Sequence, residues 1–404
     1  MRERAVYKEK ISIDCIAVCV YLMCLPLTTV TTPFGSALKI VTFPVLAVLF
    51  IRTIMGKNKL TLNYIHFIYA VFTLYSFTGL LFLHDDRAVT QTTDMLLTFI
   101  AMLFITMRVY NSSEREMMDN AWLIAGLFCI FVAMTSTETT VGDRIVIRIF
   151  GCEEDQNQFC AYLIMPVLIS LKRFIDKRKF YPIYILIILL SFYSVLRTGS
   201  RGGLLGIAAG VVIYIFIGLK SVKSRVILCL LLLFVVIGVV FFVFPLLPED
   251  IQERYTVSSV VDDRGAGRLE IWLNLLQFDF ADTGQLVHGA GMFSTYDILA
   301  TSTVDLPVGV AHNTFIQILT DHGMIGLMIF MFLIFGCVIR QWKNHPVYTC
   351  AYVAVMAFSM SLSLHVFKPY INIIMMCAMT FEGETVQDKL DMQYQASALD
   401  AGVK

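Results

Sequence analysis

The chain has 404 residues, 57% of them hydrophobic and 15% charged, with a formal net charge of +0. Soluble domains carry about 25% charged residues, so these proportions exclude an ordinary soluble globular protein, and the balanced charge excludes a strongly basic nucleic-acid binder. A mean hydropathy of +0.74 points to a helical membrane protein, and the apolar runs lack the alternation of barrel strands.

Arg2, Arg4, Lys8 and Lys10 precede the first apolar run. No small-residue cleavage site follows, so the run predicts a first transmembrane helix rather than a signal peptide. A helix needs about 20 apolar residues to cross a bilayer. Twelve such stretches lie at 11–31, 36–54, 63–83, 94–110, 120–136, 158–171, 180–196, 203–219, 225–246, 324–340, 346–363 and 366–382. The expectation is an all-α polytopic protein with twelve transmembrane helices in a single membrane domain over 1–404.

Basic residues orient the helices, because inner loops are enriched in Lys and Arg. With a cytoplasmic N-terminus, the inner loops hold Arg52, Lys57 and Lys59; Arg108 and Arg115; Lys172, Arg173, Lys177, Arg178 and Lys179; Lys220, Lys223 and Arg225; and Arg340 and Lys343. An even helix count returns the polar tail 383–404 to the cytoplasm. The outer segments are then 32–35, 84–93, 137–157, 197–202, 247–323 and a short link near 364. Segment 247–323 is a large external loop between the ninth and tenth helices. Trp272, Leu273, Leu275 and Leu276 predict a helix within it. The ten cysteines fall mostly inside apolar runs and read as packing residues. Cys152 and Cys160 lie near the outer surface.

The outer basic residues are arginines: Arg87, Arg144, Arg148, Arg197, Arg201, Arg254, Arg264 and Arg268. Lysine occurs there only at Lys39 and Lys368, near helix ends. Guanidinium groups grip phosphate bidentately and keep their charge at any working pH. The plainer reading pairs the loop arginines with Asp250, Glu253, Asp262, Asp263 or Glu270.

The stretch Arg197-Thr-Gly-Ser-Arg201-Gly-Gly203 enters the helix 203–219 at its N-terminal end. Two arginines, glycines that let a backbone approach a ligand, and a helix N-terminus together suit a phosphate or diphosphate. The plainer reading is a pair of interfacial arginines reaching lipid headgroups. From His312 to Arg340 one straight helix would be roughly 43 Å long at 1.5 Å per residue, more than a bilayer core of about 30 Å. The polar residues Asn313, Gln317, Thr320, Asp321 and His322 also lie only in its first part. The expectation is an interfacial helix over 312–322, a bend at Gly323, then the span. His312 would sit near a helix N-terminus, which lowers its pKa and favours a neutral general base. A lone His-Asn pair is more often a helix cap.

Weaker signals are His288-Gly-Ala-Gly291, a glycine turn, and Gly151 to Asn157, where Asp155 and Asn157 suit either a helix cap or a sugar contact. His365 and Lys368 lie near the outer end of the last helix, and Lys368 suits either a phosphate or a snorkelling role. With no Walker sequence, zinc spacing or Asp-x-Asp, no metal or cofactor is implied.

At these residues the chain resembles the O-antigen ligase and O-antigen polymerase superfamily of bacterial membrane glycan transferases. Arg201-Gly-Gly-Leu-Leu205 fits the superfamily's arginine, three residues, leucine motif. His312-Asn313, nine residues, then Gly323-Met-Ile-Gly326 fits its histidine motif. Gly267-Arg-Leu-Glu-Ile-Trp272 looks like the arginine-tryptophan stretch of the large loop. Asp155-Gln-Asn157 looks like the superfamily's Asp-Pro-Asn, with Gln156 in place of proline.

The resemblance implies a glycan donor on undecaprenyl diphosphate at the outer leaflet of the bacterial inner membrane. It implies diphosphate binding by Arg201 and Arg268, with Arg197 and Arg264 as second choices, and His312 as base. Asn313, Asp155, Asn157 and Lys368 are candidate contacts to glycan or acceptor. The reaction would be inverting and metal-independent, with no cofactor. The acceptor would be a lipid A core or other surface hydroxyl for a ligase, or another lipid-linked repeat for a polymerase. A flippase would also grip a lipid diphosphate, but it needs charge at mid-membrane or on both faces of a cavity. These spans are almost free of charge.

Overall fold

A computed structural model describes residues 10–57, 59–81, 86–140, 144–256, 258, 267–301, 309–365 and 368–382. Helices form along the apolar runs because a backbone away from water must satisfy its own N–H and C=O groups. Among the described residues, seven helices are long and apolar enough to cross a membrane. These are Ala37–Ile54 (α2), Tyr64–Leu81 (α3), Asp86–Thr106 (α4), Ser112–Thr135 (α5), Gln156–Ile175 (α6), Val222–Leu246 (α9) and Thr314–Gln341 (α14). Five shorter apolar helices accompany them: Ile13–Met23 (α1), Tyr181–Arg197 (α7), Arg201–Ile217 (α8), Pro346–Ser359 (α15) and Pro369–Ala378 (α16). Each apolar stretch found in the sequence holds one of these helices, and the protein is an all-α membrane protein. The ends differ from expectation where polar caps extend a helix past its apolar run. Helix α5 begins at Ser112 because Asn111 Oδ1 accepts from Glu114 N at 2.9 Å and Glu114 Oε2 accepts from Asn111 N at 3.0 Å.

Segment 247–323 holds several short helices: Glu249–Arg254 (α10), Arg268–Ala281 (α11), Thr283–His288 (α12) and Ser294–Ala300 (α13). Arg264 and the tail 383–404 lie outside the described residues.

The buried core runs through α5, α6, α8, α15 and α16. Helix α8 lies close against α15 because its contact face is glycine. A Cβ at Gly206 would fall 2.9 Å from Phe358 Cβ, and one at Gly210 would fall 2.8 Å from Ala354 Cβ. Small residues of this kind let membrane helices approach closely.

The two ends of the bundle are built differently. At one end Asp14, 1% exposed, pairs with Arg52 at 2.8 Å and with Arg108, 2% exposed, at 2.7 Å. The parallel pair Val109–Tyr110 and Thr380–Phe381 closes the same end. At the other end lies the hairpin Ile147–Ile149 and Cys152–Glu154. Thr29 Oγ1 donates to Glu154 Oε2 there at 2.8 Å.

Helix α14 breaks where the sequence predicts it. Gly323 takes φ 63° and ψ −171°, in the middle of an otherwise helical segment. The break leaves carbonyls of the preceding turn without helical partners. The Gly289–Gly291 turn supplies them: Ala290 N donates to Thr320 O and Gly291 N to Asp321 O, both at 2.9 Å. A side chain on Gly289 would collide with His322 and Gly323. The glycine turn is therefore part of the bend.

Candidate active site

The Arg197–Gly203 stretch joins α7 to α8 at the hairpin end of the bundle. Ser200 caps α8, its Oγ accepting from Gly203 N at 3.1 Å. Gly203 packs on Cys160, where a Cβ would fall 2.6 Å from Cys160 Cβ, and a side chain on Gly202 would collide with Ser361. These two glycines serve close helix packing. The sequence reading, in which these glycines let a backbone approach a ligand, is corrected for Gly203, whose N–H is taken by the cap. Gly199 differs: its φ of 64° makes the left-handed turn between the helices.

Arg197 donates to Ala133 O at 2.6 Å and Ser136 O at 2.8 Å. It satisfies carbonyls at the C-terminal end of α5, a position that favours a cation. Arg201, the first residue of α8, donates from Nε to Arg254 O. Arg144 donates from Nε to Thr198 O at 2.7 Å and from Nη2 to Asn157 Oδ1 at 3.2 Å. A Cβ on Gly199 would lie 3.2 Å from Arg254 Nε and 3.3 Å from Arg144 Cγ. Arg144, Arg201 and Arg254 thus gather around one glycine turn.

Burial lowers the Arg144 pKa, the neighbouring Arg254 charge lowers it further, and Asp155 opposes both. Tyr255 senses all three arginines: burial raises its pKa and Arg254, Arg144 and Arg201 pull it back. Arg254 Nε is buried with no hydrogen-bond partner among the described residues. Like charges held together at partial burial favour an anion between them.

His312 stands in the turn leading into α14, in left-handed backbone with φ 50°. Asn313 caps the helix, its Oδ1 accepting from Phe315 N at 2.9 Å and Ile316 N at 3.2 Å, while its Nδ2 donates to Met360 O at 3.4 Å. Burial lowers the His312 pKa below the ordinary 6.5; the Arg268 charge lowers it further and Asp155 raises it. Its Nδ1 is buried and without a hydrogen-bond partner among the described residues. Arg268 opens α11, and Trp272 of the same helix donates from Nε1 to Ala311 O at 2.8 Å. Asp155 caps α6, its Oδ1 accepting from Asn157 N at 2.9 Å and Gln158 N at 2.8 Å. Its charge acts on both Arg144 and His312. Asn157, whose N–H that cap accepts, takes a hydrogen bond from Arg144.

The structure brings together His312, Arg268, Asp155, Asn157 and Arg201. Arg197 is occupied by helix-end carbonyls, and Arg264 and the Lys368 side chain lie outside the described residues. Arg144 and Arg254 join this group, although no sequence motif singled them out. The signal available was the predominance of arginine over lysine in the segments expected to be external. The contacts that single them out, Arg144 to Thr198 and Arg201 to Arg254, join residues more than 50 positions apart. Two other outer arginines are paired: Arg148 with Glu138 at 3.0 Å and Arg87 with Asp297 at 3.2 Å. Cys152 and Cys160 are free thiols.

Residues 184–331 match the family model described as O-antigen ligase. The chain resembles the O-antigen ligase family. The matched stretch carries Arg201, Arg254, Arg268 and His312, whereas Arg144, Asp155 and Asn157 reach the same site from outside it. No curated protein matches the chain. The family match supports a membrane glycosyltransferase of the ligase or polymerase type.

Proposed function

We propose that the protein transfers a glycan from an undecaprenyl diphosphate carrier to an acceptor hydroxyl at the outer face of the bacterial inner membrane. The observation that carries this reading is the gathering of Arg144, Arg201 and Arg254 at the Gly199 turn, while Asn313, next to His312, bonds to Met360 O and Gly202, next to Arg201, packs on the adjoining Ser361. A cationic cluster suited to a diphosphate and an imidazole whose pKa is lowered thus belong to one site.

In this reading Arg201, Arg254, Arg144 and Arg268 hold the diphosphate. His312 accepts the proton of the acceptor hydroxyl as its oxygen bonds to the anomeric carbon. The glycosidic carbon–oxygen bond to the diphosphate breaks on the opposite face, so the configuration inverts and the carrier leaves as a diphosphate. Its negative charge grows as that bond breaks, so the fixed guanidinium groups stabilise the transition state more than the ground state. Arg197 holds the end of α5. Asn313 positions the histidine turn, and Asn157 orients Arg144. Both termini are cytoplasmic, and the lipid bilayer delivers the carrier laterally.

The histidine motif and the family match favour a ligase, with a lipid A core or other surface acceptor. Purified protein given donor alone and donor plus a separate acceptor tests this. A single product that requires the acceptor is expected. A ladder from donor alone would assign a polymerase, and no product in either case would remove the transferase.

A further inference from the structure

We infer that Gln317 is a positioning residue for His312, acting through the backbone of Ala311. This rests on His312 being the base. The imidazole sits on a left-handed residue, an uncommon backbone state for a residue other than glycine. Among the described contacts, two clamps hold the preceding residue. Trp272 Nε1 donates to Ala311 O at 2.8 Å, and Ala311 N donates to Gln317 Oε1 at 3.0 Å. Both polar atoms of the Ala311 backbone are thereby fixed, and Ala311 is fully buried.

The orientation of the Gln317 amide is dictated from below. Its Nε2 donates to Asp321 Oδ2 at 2.8 Å and to Thr295 Oγ1. A carboxylate only accepts, so the amide nitrogen must face Asp321 and the amide oxygen must face Ala311. The same oxygen accepts from Ser363 Oγ at 3.2 Å. Asp321 is held in turn: its Oδ1 accepts from Ser294 Oγ and Thr295 Oγ1, both at 3.0 Å. Gln317 and Asp321 lie one helical turn apart in α14, just before the break at Gly323, and both are buried. A chain of defined donors and acceptors therefore runs from the bend in α14 to the residue before the histidine. Buried networks of this kind are rigid when every member is satisfied. None of these residues needs to touch substrate.

The experiment compares wild type, Q317A, Q317E and the exchange variant Q317E/D321N in purified, detergent-folded protein with the lipid-linked donor. Q317A leaves Ala311 N without its acceptor, and Q317E places a second carboxylate against Asp321. Each should lower kcat by 10-fold or more with donor KM within 3-fold. Each should also move the acid limb of the pH–rate profile upward, because a loosened imidazole regains water. The exchange variant restores the pattern, with a carboxylate accepting from Ala311 N and an amide donating to it, and should recover most of kcat. A Q317A protein with wild-type kcat and pH profile overturns the inference. If Q317A and Q317E do not fold, a folded exchange variant that keeps low kcat overturns it instead. Full activity in H312A, measured alongside, would sink the base assignment itself and so separates that failure from a failure of the positioning role.

Discussion

Trp272 reaches from α11 to the carbonyl of Ala311 at 2.8 Å, which fastens the helix that begins with Arg268 to the turn that carries His312. The guanidinium charge and the imidazole are therefore set relative to one another by a hydrogen bond that neither of them makes. Burial and the Arg268 charge lower the imidazole pKa and so favour its neutral form. A neutral ring is the form that takes a proton.

That relationship fixes a pH dependence. A base works only when unprotonated, and the His312 pKa is lowered, so activity persists below the ordinary histidine range and falls once pH drops through the lowered value. Arg268→Gln removes a cation, so the pKa and the acid limb both move up. Asp155→Asn removes the opposing carboxylate, so the limb moves down. The pH profile of kcat/KM checks both signs; shifts in the same direction for the two variants would contradict this electrostatic arrangement.

Arg201→Lys keeps the charge but loses the planar fork. We expect a loss of 10-fold or more in donor turnover, together with weaker donor binding. Arg254→Lys should resemble it, and Arg144→Lys should lose less, because Arg144 already spends two donors on Thr198 and Asn157. Titration of the lipid diphosphate against each variant provides the comparison. Wild-type affinity in Arg201→Lys would favour lipid headgroups as the partner of these arginines.

Gly323→Ala should disable the protein through its fold. The residue is left-handed, and a side chain there would collide with Val287 and Gly289. Strain of about 1–3 kcal/mol is expected from the backbone alone. Reduced thermal stability and loss of turnover should appear together; a stable, active Gly323→Ala protein would mean that the bend is dispensable.

At the far end of the bundle, Asp14→Ala removes the buried carboxylate that pairs with Arg108, which is 2% exposed and keeps its bonds to Leu49 O and Thr53 Oγ1. Breaking a buried pair by removing one partner costs about 3–5 kcal/mol. Thermal inactivation should come at lower temperature, while the donor KM of the surviving protein stays unchanged. An altered KM would show coupling between the two ends.

Much of this was legible in the sequence. The apolar runs gave the helices, because hydropathy over a helix length is a local property. The bend at Gly323 followed from a length that overshoots the bilayer and from polar residues confined to one half. His312 and Arg201 stood out through local motifs. Arg144 and Arg254 did not, because their roles arise from contacts across more than 50 residues that no local pattern encodes. Arg197 looked equivalent to Arg201 by spacing. A helix end from elsewhere in the chain, at Ala133 and Ser136, distinguishes it. Gly203 read as a phosphate-binding glycine and proved to be packed on Cys160.

The most direct measurement is single-turnover glycan transfer from the lipid diphosphate donor by wild type and His312→Ala, with donor affinity measured on the same samples. The account predicts that the variant binds donor as wild type does and transfers at least 100-fold more slowly. Wild-type transfer by His312→Ala would contradict it.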